Sequence, residues 1–160
     1  MGKNGFGLLE IVIAVSIISG TIFSLSYVFI ISHRLEAISS DKVRANFLAE
    51  EGLEAMRFLR DKSWNTNLSG LSVDTTYYLS FATTTSTWSV VTNGPALIDG
   101  LYMRTINVAA VERDASDDIV SSGGTVDPDS KKISVTMAWS GRGATSTVTI
   151  STYLSDIFDN

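Results

Sequence analysis

Three hydrophobicity regimes follow one another along the chain. From Phe6 to Ile31 it reads FGLLEIVIAVSIISGTIFSLSYVFII, a run of 26 residues with one charged side chain, Glu10. A helix needs about 20 apolar residues to cross a bilayer core, so this run is long enough to span with some tilt. It is about twice the apolar core of a secretory signal peptide. Ser32-His33-Arg34-Leu35-Glu36 follows it in place of a small-x-small cleavage pattern, so the segment reads as retained in the membrane. From Leu35 to Leu59 the period becomes helical. Leu35, Ile38, Ala45, Leu48, Ala49, Gly52, Ala55, Met56 and Leu59 fall on one stripe, interrupted by Lys42, with Arg44, Glu50, Glu51, Glu54, Arg57 and Asp61 on the other faces. One helix from Phe6 to about Arg60 is predicted, weakest at Ser19-Gly20-Thr21.

Beyond Trp64 the pattern is that of sheet. Thr76–Ala82, Thr87–Val91, Tyr102–Val111, Lys132–Trp139 and Thr145–Leu154 are β-branched or aromatic runs. The last two alternate with period two around Ser140-Gly141-Arg142-Gly143 and predict a hairpin with one buried face. Asn93-Gly94-Pro95 and Ser121-Ser122-Gly123-Gly124 mark loops. The predicted fold class is α+β. A long N-terminal helix, apolar in its first half, packs through its second half on an antiparallel sheet.

Composition removes several function classes. With 160 residues the chain has room for one ordinary domain and an appendage. Twelve basic against 17 acidic residues give a net charge of −5, which argues against a nucleic-acid partner, since phosphate neutralisation needs clustered Lys and Arg. The absence of cysteine excludes disulfides, thiolate metal sites and Cys nucleophiles. A single histidine, His33, excludes multi-His metal sites; beside Arg34 at the end of the apolar run it reads as an interfacial residue. No nucleophile–base pair, phosphate loop or metal set emerges, so neither a catalytic site nor a cofactor is expected.

Glu10 is the residue that a plain single-pass anchor does not explain. A carboxylate inside an apolar helix costs on the order of 2.5–3.5 kcal/mol even on lenient insertion scales, and such residues usually have a partner. Its place near the helix start lowers that cost, because the N-terminal end of the macrodipole favours negative charge. Nothing basic lies within the run, so a cationic partner must come from the chain's own amino end or from another molecule.

Gly5-Phe6-Gly7-Leu8-Leu9-Glu10, behind the short leader with Lys3, resembles the type IV prepilin processing site. Gly7 stands where that family usually has Thr, and the leader is brief. The resemblance implies cleavage after Gly5 by a prepilin peptidase, N-methylation of Phe6, and a charge pair between the new α-amine of one subunit and Glu10 of its neighbour. An α-amine is cationic at neutral pH, with a reference pKa of about 7.7–8.0. Such a pair makes mismatched helix registers costly. Ala45-Asn46-Phe47-Leu48-Ala49-Glu50-Glu51-Gly52-Leu53-Glu54-Ala55-Met56-Arg57, with Arg60-Asp61 and Trp64, is similar to V-type minor pilins and to I-type minor pseudopilins of type II secretion. Val148–Leu154 resembles their last strand.

The domain plan that follows is a leader at 1–5, a membrane or filament-core segment at 6–31, and a head at 32–160, made of an amphipathic helix at 32–61 and a sheet at 76–154. The implied partners are prepilin peptidase, other pilin or pseudopilin subunits, an inner-membrane assembly platform and the lipid bilayer. The implied location is the inner membrane, leader in the cytoplasm and head outside, and then an extracellular pilus or periplasmic pseudopilus. A minor pilin is the leading expectation. A secretion pseudopilin is the alternative within the fold, and a membrane-anchored binding module or enzyme is the alternative outside it.

Within the head, Asp114, Asp117, Asp118, Asp127 and Asp129 surround a Gly/Ser-rich loop but lack EF-hand spacing, so they read as solvated loop residues. Glu50, Glu51 and Glu54 read as a solvated helix face, Thr83–Thr87 as an exposed loop or strand edge, and Trp64, Trp88 and Trp139 as core or edge aromatics.

Overall fold

The computed structural model describes residues 7–73, 75–94, 97–141 and 144–158. Helix α1 spans Leu8–Lys62 and the one-turn α2 spans Trp64–Asn67. Strands follow at Thr76–Ala82 (β1), Thr87–Val91 (β2), Tyr102–Arg113 (β3), Ile119–Val120 (β4), Thr125–Gly141 (β5) and Ala144–Ser155 (β6). All pair antiparallel in the order β2-β1-β3-β5-β6, with β4 attached to β3. The fold class is therefore α+β, with a long N-terminal helix whose second half packs on an antiparallel sheet.

The chain forms two units, Met1–Asp41 and Lys42–Asn160. In the second, alternation along the strands builds one apolar sheet face. Tyr102, Ile106 and Val108 of β3 sit opposite Trp139, Val135 and Ile133 of β5, and all six are buried. Tyr77 and Leu79 of β1 extend that face. Ala45, Ala49, Gly52, Leu53, Ala55, Met56 and Leu59 of α1 close over it. Small residues dominate this helix stripe because the backbone approaches the sheet closely: a Cβ at Gly52 would lie 2.9 Å from Val135 Cγ1 and 3.0 Å from Arg104 Cδ. Trp64 and Leu68 fill the end of the core, where Ser63 caps α2 by accepting from the Thr66 N–H at 3.3 Å.

The structure corrects the strand limits. Runs β1 and β2 coincide with the pattern, whereas β5 begins at Thr125 and takes in Asp127 and Asp129, which the composition places in a loop. The reason is a bulge. Between Ala110 and Val111 the β3–β5 register jumps from Lys131 to Asp127, leaving Pro128, Asp129 and Ser130 without partners on β3. Proline has no N–H to give a ladder and is tolerated in a strand at such a bulge. The bulge also returns Val111 to the buried face after two exposed alanines. Strand β4 is too short to carry a periodic signal. On α1, Leu35 and Ile38 belong to the predicted stripe but are exposed, and the buried Leu53 lies outside it.

Candidate functional site

The first unit carries the sequence-predicted site. Gly5 and Phe6, the processing positions, lie outside the described residues. The helix opens directly behind them: the Gly7 carbonyl accepts from the Glu10 N–H at 3.0 Å and the Ile11 N–H at 3.3 Å. Glu10 therefore lies in the first turn, where unpaired backbone N–H groups favour negative charge. Among the described residues it forms no ion pair.

Behind Glu10 the helix is long and apolar enough to cross a membrane, and its most apolar stretch is not buried within the chain. Leu9, Val12, Ile17, Phe23, Leu25 and Phe29 are all exposed. Three of the hydroxyls that hydrocarbon would penalise are satisfied within the helix. Ser16 Oγ donates to the Val12 carbonyl at 2.8 Å, Thr21 Oγ1 to Ile18 at 2.7 Å, and Ser24 Oγ to Gly20 at 2.9 Å. The last two bonds bracket Ser19-Gly20-Thr21, the predicted weak point, and the helix runs through it unbroken. His33 packs edge-on against Phe29 at 4.3 Å and lies 3.5 Å from Glu36.

The second unit holds two charged clusters. Arg104 is only 8% exposed, on the core face of β3. It donates to the Leu48 carbonyl at 3.0 Å, lies 3.6 Å from Glu51 and sits 5.2 Å from the centre of the Trp88 ring. Burial pulls its pKa below the ordinary arginine value, and Glu51 opposes that shift. Glu51 stays exposed on the helix face, as the sequence pattern has it, and reaches Arg104 from there. Sequence pattern missed Arg104, although period two from Tyr102 through Ile106 and Val108 puts residue 104 on the inward face.

The other cluster surrounds Arg113. Its Nε donates to Asp127 at 2.7 Å and lies 3.7 Å from Asp117, and its Nη1 donates to the Asp117 carbonyl at 2.9 Å. The bond from Arg113 holds the Asp127 carboxyl below its ordinary pKa, and burial partly opposes it. Asp114 Oδ1 accepts from the N–H groups of Ser116 (2.8 Å) and Asp118 (3.0 Å), and Asp127 Oδ1 from that of Asp129 (2.9 Å). These aspartates fold loops and neutralise an arginine. Among the described residues no three of the His, Asp and Glu side chains are placed to hold a metal ion.

Comparison of the chain with known families, with characterised proteins and with solved structures finds no match.

Proposed function

We propose that the chain is a type IV pilin-like subunit, a minor one, inserted in the inner membrane with its head outside and drawn from there into a filament. In this reading prepilin peptidase removes residues 1–5, the α-amine of Phe6 is methylated, and Glu10 pairs with that amine on a neighbouring subunit. The assembly platform and the other pilin subunits are its partners, and its work is assembly, initiation or presentation. The observation that carries the reading is Glu10. It is the one charged side chain in an exposed apolar helix, five residues after Gly5, on an element that continues into an α+β head. A plain anchor has no use for a carboxylate at that offset.

Mass spectrometry of the N-terminus of the protein recovered from membranes tests this. A chain that begins at methylated Phe6 supports it, and an intact Met1 or a cut beyond Ile31 excludes it. Glu10→Ala then separates anchoring from assembly. It should insert as well as wild type while its recovery in sheared filaments falls at least about tenfold, because the neighbouring amine loses its counter-ion. Normal recovery would make the charge pair dispensable.

A further inference from the structure

The apolar surface of α1 does not end at one level around the helix. Ile31, Leu35 and Ile38 follow one another at spacings of four and three, so they share a face, and Lys42 stands one turn further on. Leu35 and Ile38 are 60% and 54% exposed. Phe29, His33, Glu36 and Ser40 repeat the same spacing on the opposite face, which turns polar directly after Phe29. One face therefore stays apolar to Ile38 and the other only to Phe29, a difference of about 13 Å along the axis.

The other end of the apolar run is slanted in the same sense. Glu10 precedes Leu35 by close to seven turns, and Ile11 precedes Phe29 by five. The face that stays apolar longest where the run ends is thus aligned with the carboxylate where it begins. A band slanted alike at both ends fits a tilted rod, whose downward face enters hydrocarbon late and leaves it late. Length points the same way. From Leu8 to Ile31 the helix is about 36 Å long, against about 30 Å of hydrocarbon. Along the longer face Leu35, Ile38 and then Lys42 also suit the passage from hydrocarbon to phosphate, since a lysine stem lies along apolar surface while its ammonium seeks anionic headgroups. We infer that α1 crosses the bilayer tilted toward the face of Leu35 and Ile38, and that this face rests on the headgroup region of the leaflet where the helix leaves. The tilt holds Glu10 at the opposite interface, where a carboxylate costs less than in hydrocarbon. The inference rests on the membrane insertion proposed above and not on processing or filament assembly.

The chain has no cysteine, so a nitroxide label can be placed at one position at a time on the full-length protein in phosphatidylethanolamine–phosphatidylglycerol vesicles. Oxygen concentrates in hydrocarbon and a charged nickel chelate stays in water, so the ratio of their collision rates with the label reports depth. That ratio should be at least about threefold higher at Leu35→Cys and Ile38→Cys than at Glu36→Cys and Ser40→Cys, although the two sets interleave in sequence. Equal ratios at all four would mean that the boundary is level. Exclusion of both probes from Leu35 and Ile38 would mean that protein covers that face. Either result overturns the inference. A low ratio at Phe23→Cys would overturn insertion itself, and the tilt with it.

Discussion

One helix carries two kinds of surface. Between Leu8 and Ile31 apolar side chains point in all directions and are exposed; between Ala45 and Leu59 the residues Ala45, Ala49, Gly52, Leu53, Ala55, Met56 and Leu59 are buried against the sheet while Phe47 and Phe58 stay exposed. Charge content already separates the two, with one charged residue between Leu8 and Ile31 against four between Ala45 and Leu59. Distribution around the axis separates them further. A stripe can be completed by the chain's own sheet, whereas an all-round apolar surface needs a solvent or partner from outside. Glycine marks the same contrast. Gly52 faces Val135 and Arg104 across a gap too small for a methyl group, while nothing lies within 4 Å of the position a Cβ would take at Gly20.

The largest effects should come from exchanging the two behaviours. A chain beginning at Ser32 lacks the all-round apolar surface and should move from the membrane fraction to the soluble fraction while keeping a cooperative thermal transition by circular dichroism. In that chain Met56→Asp places an unpaired carboxylate at a fully buried site and should cost on the order of 4 kcal/mol, enough to unfold a marginal domain. A disordered truncated chain, or a variant melting like its parent, would show that the head's stability comes from elsewhere. Next in size is the glycine pair. Gly52→Ala forces Val135 or Arg104 to shift and should cost about 1–3 kcal/mol in the same melt. Gly20→Ala should instead strengthen the helix of the full chain in detergent by up to about 1 kcal/mol. Effects of the same sign would erase the contrast.

The smallest expected effect is on pH dependence, and it belongs to the head alone. Asp127 has its pKa lowered in the folded state by Arg113. Its contribution is therefore present above the unfolded value of about 3.9 and is lost as pH falls through the lower folded value. The melting temperature of the truncated wild type should fall more steeply below about pH 4 than that of Asp127→Asn. Parallel profiles would mean that the Arg113–Asp127 bond adds no pH-dependent stability.

Legibility in the sequence followed the strength of the local signal. The helical stripe around Met56 is clear because period and burial coincide there, while the apolar run and strands β1 and β2 are clear from composition: an unbroken apolar stretch in the first, β-branched and aromatic residues in the others. Asp127, Pro128 and Asp129 disguised the first part of β5, since a bulge admits residues that a regular strand rejects. Leu53 lies off the ideal stripe yet is buried. Arg104 was hidden by its charge, because alternation places it inward while composition places arginines outside. Glu10 was legible as chemistry, since its anomaly needs no tertiary structure to be seen. The apolar run itself offers it no basic partner.

The contrast between the two surfaces is tested most directly with one reagent and two cysteines. Phe23 is 77% exposed in the apolar half of α1, and Phe81 is 46% exposed on β1. In cells whose outer barrier is permeable to a charged maleimide that does not cross bilayers, Phe81→Cys should label fully. Phe23→Cys should stay unlabelled until detergent is added, although it is the more exposed side chain in the isolated chain. Equal labelling of both before detergent would contradict the account, for it would put the apolar helix in water.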